Sequence, residues 1–358
     1  MNMTLRWYGA GYDSVTLSQI RQIPGVSGVI TTLYGTSPGE AWELDEIRAL
    51  KKTVEDAGLT IEGIESVNVS DAIKTAGPLR DQHIDNYIQT LDRLGSEGIR
   101  VICYNFMPVF DWTRSELARV RPDGSTVLAY NQDIIDKLDP DHMKESIASM
   151  SNGFVMPGWE PERLDSLKEL FALYQGMDEE TLFHNLVYFL KAIGPVCEKH
   201  NIRMAIHPDD PAWPIFHLPR IITGLDSYKR LFEAVDKPYN GITLCTGSLG
   251  TNPKNDIPKI ICFAGDRIAF AHVRNLKYNS PRDFEEAAHL SSDGSMDLYE
   301  IMKALYDVHF DGPIRPDHGR MIWGEKAMPG YGLYDRALGT QYLLGLWEAI
   351  DKDRKRGV

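Results

Sequence analysis

Residues of the types that bind divalent metal ions follow four successive apolar, β-branched segments in the second half of the chain. His207, Cys245, His272 and Asp317 occupy corresponding positions in RMAIHP, GITLCTG, IAFAHVRN and PIRPDHG. Two imidazoles, a thiolate and a carboxylate can share one cation: imidazole and thiolate suit zinc, iron or cobalt, and imidazole with carboxylate also suits manganese. A lone histidine or cysteine at such a place is more often structural, but four in corresponding positions favour a metal site.

More ionisable residues lie beside these four. His318 and Arg320 follow Asp317 within three residues, and Arg274 lies two residues after the histidine of AHVRN. Arginines at such places can anchor a carboxylate or the hydroxyl groups of a substrate. This density of charge after an apolar segment favours a working site over a solvated loop.

The glycine-rich loop MPGYGLYDRALG (328–339) contributes two tyrosines, Tyr331 and Tyr334. A tyrosine there either donates a proton or packs on the following helix, and the residues alone slightly favour packing. Further candidates to face the same site lie on the first apolar segment and after the fourth: Arg6, Trp7, Tyr8 and Asn105.

The elements that must position these residues alternate along the chain. Eight apolar segments alternate with stretches of helical periodicity, which predicts a parallel sheet. Eight repeats closed by a last helix favour a (β/α)₈ TIM barrel, in which the active site lies at the carboxyl ends of the strands. An open doubly wound sheet would favour a G-x-G-x-x-G loop after an early strand, and the sequence has none. The predicted strands are 5–9, 28–33, 61–66, 100–106, 203–208, 241–247, 268–275 and 313–319, and the main predicted helices are 42–58, 81–98, 182–200, 226–237, 296–310 and 332–353.

The spacing of the predicted strands is irregular in one place. The fourth and fifth strands, 100–106 and 203–208, are separated by far more chain than one helix requires. We therefore expect a single catalytic domain, 1–358, that carries an insertion at 107–180 with short helices or a small hairpin. An insertion after a barrel strand lies at the catalytic mouth, so a lid is expected.

Composition excludes several other classes of protein. The 358 residues carry a formal net charge of −13, whereas a nucleic-acid-binding surface should be basic. No run approaches the roughly 18 apolar residues of a membrane span, and the N-terminal residues do not have the pattern of a secretory signal. The four cysteines show no CxxC spacing, which indicates reduced thiols and a cytoplasmic location.

Five motifs in order carry a resemblance to a known family that runs essentially end to end. They are MTLRWYG, IHPDDPAWPIFHLPRI, LCTGSLG, FAHVRN and RPDHGRMIWGEKAMPGYGLYDRALG, and together they resemble mannonate dehydratases. The resemblance implies a xylose-isomerase-like TIM barrel that converts D-mannonate to 2-keto-3-deoxy-D-gluconate and water in hexuronate (glucuronate) catabolism. It also implies a homodimer with a sugar acid as substrate and without a nucleic-acid or membrane partner.

The resemblance also implies roles for individual residues. It places a divalent metal, usually manganese with Fe²⁺, Co²⁺ or Mg²⁺ as alternatives, on His207, Cys245, His272 and Asp317. The implied acid–base residues are Asp317, His318 and Tyr331, with Tyr331 preferred to Tyr334. The expected substrate-binding residues are Arg274, Asn275, Arg320 and Tyr334.

The chemistry of dehydration agrees with these residue types. A cation can stabilise the enediolate formed when the proton next to a carboxylate is removed, and a base and an acid must move the two protons. A metal-bound Asp317 is a weaker base than a free carboxylate, so we expect His318 or Tyr331 to share the proton transfers. The main alternative is a metal-dependent sugar isomerase on the same barrel, whose carboxylate-rich two-metal site suits a thiolate poorly.

Overall fold

Eight parallel strands close into a barrel in the computed structural model, which describes residues 1–137 and 166–356. Around the ring the order is β1-β12-β9-β8-β7-β4-β3-β2, with β1 pairing with both β2 and β12. The predicted (β/α)₈ barrel is confirmed. With all strands numbered in chain order, the barrel strands are β1 (Asn2–Arg6), β2 (Gly28–Thr31), β3 (Thr60–Glu65), β4 (Val101–Tyr104), β7 (Arg203–Ile206), β8 (Asn240–Cys245), β9 (Ile268–Val273) and β12 (Pro313–Pro316).

A second, antiparallel sheet is formed by two hairpins. Its strands are β5 (Glu116–Val120), β6 (Thr126–Asn131), β10 (Asn275–Ser280) and β11 (Asp283–Ala287), in the order β10-β11-β6-β5. The hairpins follow the carboxyl ends of β4 and β9, so the sheet lies on the side of the barrel where catalytic residues of this architecture are found.

The first hairpin belongs to the predicted insertion 107–180, of which residues 138–165 lie outside the described part of the chain. The second hairpin was not predicted: the expected strand 268–275 ends at Val273, and Asn275 begins β10. The residues of this hairpin are mostly polar, and β11 becomes part of a sheet by pairing with β6, for example Phe284 with Tyr130. Such pairing between distant segments leaves little trace in the local sequence.

Helices surround the barrel, and each main predicted helical stretch overlaps one of them. α7 (Glu179–His200) shows why: Asp178 caps its first turn by accepting a hydrogen bond from the backbone N–H of Thr181, and Asn201, in the left-handed conformation, follows its last residue. Within the described ranges, no helix is long and apolar enough to cross a membrane. The helices are α1 (Leu17–Arg21), α2 (Leu44–Asp56), α3 (Asp71–Lys74), α4 (Arg80–Ser96), α5 (Gln132–Ile135), α6 (Leu167–Leu173), α7 (Glu179–His200), α8 (Leu225–Ala234), α9 (Thr246–Gly250), α10 (Ile257–Ala264), α11 (Leu298–Asp307) and α12 (Leu333–Arg356).

An apolar cluster lies inside the barrel. Ile30, Cys103, Ala205 and Phe270 come from four different strands and form one buried cluster, so they must meet inside the ring. The ring of His272 packs edge-on against Phe270, with 4.4 Å between the ring centroids. This contact packs His272, a predicted metal ligand, against the apolar cluster.

Candidate active site

The ends of adjacent barrel strands bring three predicted ligands together. Cys245 is the last residue of β8, His272 lies opposite it on β9, and His207 directly follows β7. One potential ligand atom from each of these residues lies within 4.8 Å of the other two. Because β7, β8 and β9 are neighbours in the ring, parallel pairing alone places these side chains side by side.

Asp317 lies beside this group, one residue beyond β12. Its Oδ2 is 3.6 Å from Cys245 Sγ and 3.9 Å from His272 Nδ1. The structure therefore brings all four predicted metal ligands to one place at the carboxyl end of the barrel.

The charges of the site suit a cation. Burial alone would raise the pKa of the Cys245 thiol, but Arg274 and His207 hold that pKa well below its usual range. Burial would likewise raise the pKa of Asp317, and Arg315 and His318 outweigh it, so that the pKa lies well below the ordinary value. A thiolate and a carboxylate are the forms that bind metal, so the donor set fits a divalent ion.

A second group of potential ligands overlaps the first: Glu65, Cys103 and His272 also lie within 4.8 Å of one another. Burial, reinforced by Glu65, raises the pKa of Cys103 well above its usual value, so this cysteine stays a thiol. Arg315 lies 3.0 Å from Glu65 and Arg6 lies 4.0 Å from it. Metal ligands must be deprotonated, so the group that contains the Cys245 thiolate, and not the one with the Cys103 thiol, is the candidate metal centre.

A buried network of ion pairs surrounds Asp317. Arg315 contacts Asp317 Oδ1 at 2.7 Å, and Arg274 Nε lies 2.9 Å from Oδ2. Arg274 also pairs with Asp210 at 2.6 Å and with Glu286 of β11. Although burial alone would raise it, Arg274, His318 and Arg114 lower the pKa of Glu286 to about 2. The network fixes the position and the negative charge of Asp317.

The predicted acid–base residues lie next to the candidate metal centre. His318 Nε2 is 3.7 Å from Asp317 Oδ2, and its Nδ1 is 3.3 Å from Glu286. The ring of Tyr331 lies 5.4 Å from that of His318 and 5.1 Å from that of Tyr8, between centroids. Burial and the charge of Asp317 raise the pKa of Tyr331, so its phenol is protonated at neutral pH and can donate a proton.

Comparison with known proteins decides the family of this chain. The model of the family described as D-mannonate dehydratase (UxuA) matches residues 1–357. The chain belongs to this family. A curated mannonate dehydratase from Brachyspira hyodysenteriae is 67% identical over 352 residues, which cover 98% of this chain and 99% of the relative.

Solved structures agree with the membership in the D-mannonate dehydratase family. The crystal structure of mannonate dehydratase from Streptococcus suis serotype 2 superposes with a TM-score of 0.89 at 44% identity, covering 100% of this chain and 96% of that one. A xylose isomerase domain protein from Planctomyces limnophilus has a TM-score of 0.55 at 12% identity, covering 98% of each chain; it shares the fold. The predicted family, its hydro-lyase class and the xylose-isomerase-like barrel are confirmed.

Two residues that the resemblance assigned to substrate binding contact other parts of the protein, and a third is exposed. The amide of Asn275 donates to the backbone oxygens of Leu290 and Met296, at 3.3 and 3.2 Å. Arg320 pairs with Asp335 at 2.8 Å. The side chain of Tyr334 is exposed. In this arrangement the fourth, Arg274, pairs with protein carboxylates.

The residues that sequence reasoning missed are the partners in the ion-pair network. Glu65 is the last residue of β3, and Arg315 lies within β12. Arg114 precedes β5 and pairs with Asp210 at 2.7 Å and with Glu286 at 2.8 Å. The apolar runs that reveal strands carry no signal for such contacts, which link segments far apart in sequence.

Arg114→Met is expected to destabilise the protein by about 3–5 kcal/mol, because it removes one partner from a buried ion-pair network. The side chain of Arg114 is 0% exposed. Urea denaturation measures the change. Arg119→Met is the matched control from the same sheet: Arg119 pairs with Glu116 and Asp283 and is 20% exposed, so a loss of about 0–1 kcal/mol is expected. Equal losses for the two variants would contradict the importance of the buried network.

Proposed function

We propose that this member of the D-mannonate dehydratase family converts D-mannonate to 2-keto-3-deoxy-D-gluconate and water. His207, Cys245, His272 and Asp317 would hold one divalent cation, with Mn²⁺ as the first candidate and Fe²⁺, Co²⁺ or Mg²⁺ as alternatives. The observation that carries the proposal is the convergence of these four residues from four adjacent strands, in a chain matched by the family model from residue 1 to 357.

Dehydration requires two proton transfers between the substrate and residues of the chain. A base takes the proton from C2, an acid protonates the hydroxyl that leaves C3 as water, and the resulting enol takes a proton at C3 as the ketone forms at C2. When bound, the cation supplies stabilisation of the negative charge that develops on the substrate carboxylate. The residues of the chain must therefore place one base and one acid beside it.

The surroundings of Asp317, His318 and Tyr331 favour a different role for each residue. Two arginines hold Asp317 ionised, so it is a good ligand and a weak base. His318 lies between the carboxylates of Asp317 and Glu286, and its imidazole is the candidate base for the proton at C2. Tyr331, whose pKa is raised by burial, is protonated and can supply the proton to the leaving hydroxyl.

The alternative function is aldose–ketose isomerisation by a metal-dependent enzyme of the same barrel. The likeness to the xylose isomerase domain protein, at 12% identity, supports the fold alone. Metal-free protein, prepared with a chelator and reloaded with Mn²⁺, separates the two functions when it is assayed with D-mannonate and with aldoses. Metal-dependent formation of a 2-keto acid from D-mannonate supports the proposal, and interconversion of aldose and ketose without it would favour the isomerase.

We further propose a cytoplasmic homodimer that acts in hexuronate catabolism and has no nucleic-acid or membrane partner. The net charge of −13 and the unpaired cysteines support the location and the absence of nucleic acid. Sedimentation of the purified protein at its in-vitro working concentration tests the oligomeric state. A monomer there would contradict the homodimer.

We also propose that the insertion 107–180 within the single domain covers the site as a lid. The hairpin of β5 and β6 supports this, because Arg114 just before it contacts Asp210 and Glu286 beside the site. The substrate is expected to slow protease cleavage within 107–180, as mapped by mass spectrometry. Equal cleavage with and without substrate would contradict a closing lid.

A further inference from the structure

Glu65 reaches His272 from the opposite wall of the barrel. β3 and β9 stand four places apart in the ring of eight strands, which is the greatest separation that such a ring allows. Nevertheless Glu65 Oε2 lies 3.5 Å from His272 Nε2, at the outer limit for a hydrogen bond. Both atoms are buried, and among the described residues neither of them has a hydrogen-bond partner in the present arrangement. The contact crosses the interior and is not a by-product of neighbouring strands.

The two ring nitrogens of His272 face different groups. Nδ1 lies 3.9 Å from Asp317 Oδ2, and the same oxygen lies 3.6 Å from Cys245 Sγ. The Nδ1 edge is therefore the one on the side of the proposed metal ligands. Nε2, on the other edge, faces Glu65.

A carboxylate at Nε2 selects one tautomer of the imidazole. A neutral imidazole carries a single N–H, and an ionised carboxylate only accepts hydrogen bonds. With the proton on Nε2, Nδ1 keeps the lone pair that a metal ligand needs. Arg315 Nη2, which can only donate, lies 3.4 Å from Nδ1 and favours the same tautomer. Histidines that bind metals usually donate their second N–H to a carboxylate or carbonyl group.

Arg315 holds Glu65 in this position. Its Nη2 donates to Glu65 Oε1 at 3.0 Å, and its Nη1 donates to Asp317 Oδ1 at 2.7 Å. The guanidinium is a rigid planar fork, and this one is buried. One rigid group thus couples the carboxylate that faces His272 to the carboxylate of a proposed ligand.

We propose that Glu65 is a positioning residue for the metal centre: it accepts a hydrogen bond from His272 Nε2 and so directs Nδ1 toward the cation. Arg315 holds Glu65 and Asp317 at a fixed separation. The inference rests on the proposed metal centre at His207, Cys245, His272 and Asp317. Glu65 contacts a metal ligand, His272, and does not contact the substrate.

The test measures Mn²⁺ affinity directly, by titrating metal-free protein and following free Mn²⁺ by electron paramagnetic resonance. Glu65→Gln is expected to weaken binding by about 10–100-fold, the range for loss of a residue that orients a metal ligand. Glu65→Asp keeps the charge that neutralises Arg315, which protects the fold, but withdraws the carboxylate from His272, and it is also expected to bind more weakly. Circular dichroism checks that each variant is folded.

Cys103→Ser is the matched control, because Cys103 lies in the same group as Glu65 and His272 but is a thiol held by Thr243. It is expected to bind Mn²⁺ like the wild type. A parallel loss in Cys103→Ser and the Glu65 variants would show that both residues ligate a different cation, and would overturn the proposal.

The absorption spectrum of the Co²⁺-loaded protein distinguishes loss of the positioning role of Glu65 from general loss of structure. At saturating Co²⁺, the Glu65 variants are expected to keep the thiolate charge-transfer band from Cys245 but to show shifted d–d bands, because the geometry at His272 changes. Wild-type affinity and an unchanged spectrum in both Glu65 variants would overturn the positioning role alone. Failure of the wild type to bind either metal would overturn the proposed metal centre, and the positioning role with it.

Discussion

Asp317→Asn is expected to weaken metal binding and, at limiting Mn²⁺, to lower turnover of D-mannonate by at least about 10–100-fold, the loss caused by removing even a residue that only orients a metal ligand. The physical reason is the position of its carboxylate, 3.6 Å from Cys245 Sγ and paired with Arg315 at 2.7 Å. An amide carries no charge for a cation and leaves two buried guanidinium groups with one partner fewer. Metal content after gel filtration and steady-state kinetics give the two readouts.

A titration with excess Mn²⁺ separates the two roles of Asp317. If the carboxylate mainly holds the cation, turnover of Asp317→Asn recovers as the metal concentration rises; if it moves a proton, turnover stays low at saturating metal. Because two arginines keep it ionised, we expect substantial recovery. Asp123→Asn, an exposed carboxylate that pairs with Arg320, is the control. Wild-type metal content and wild-type turnover in Asp317→Asn would contradict both roles.

Tyr331→Phe is expected to lower kcat by about 10²–10⁴-fold while Mn²⁺ affinity stays at the wild-type value. The phenol lies beside His318 and Tyr8 and does not belong to the proposed set of metal ligands. Burial and Asp317 raise its pKa, which suits a proton donor. Steady-state kinetics at saturating metal, together with the Mn²⁺ titration, measure the two quantities.

Tyr334→Phe tests which of the two tyrosines of the loop is the proton donor. Tyr334 is 42% exposed, whereas Tyr331 is 7% exposed. We therefore expect Tyr334→Phe to retain most of the wild-type turnover. A larger loss in Tyr334→Phe than in Tyr331→Phe would reverse the assignment of the proton donor.

The barrel was predictable because its strands are short apolar runs whose local sequence contains the signal. The same reasoning located His207, Cys245, His272 and Asp317, since residues at the carboxyl ends of parallel strands must converge. The hairpin 275–287 escaped prediction, because its polar strands become a sheet through pairing with β6.

The contacts that orient the candidate ligands could not be predicted from local sequence patterns. Glu65 ends a strand four places from that of His272, and their meeting depends on closure of the ring and on which side chains point inward. Arg114 and Glu286 meet because two hairpins from distant segments form one sheet. The local sequence around Asn275 likewise gives no sign that its amide donates to the backbone oxygens of Leu290 and Met296.

The most direct test of the proposed function is proton NMR of D-mannonate incubated in D₂O with the Mn²⁺-loaded protein. Dehydration predicts loss of the C2 proton signal and appearance of a C3 group that carries one hydrogen and one deuterium. The deuterium enters because the enol takes one deuteron from solvent as the C2 ketone forms. Unchanged D-mannonate in the presence of folded, metal-loaded protein, or a product that keeps all its hydroxyl groups, would contradict the proposed reaction.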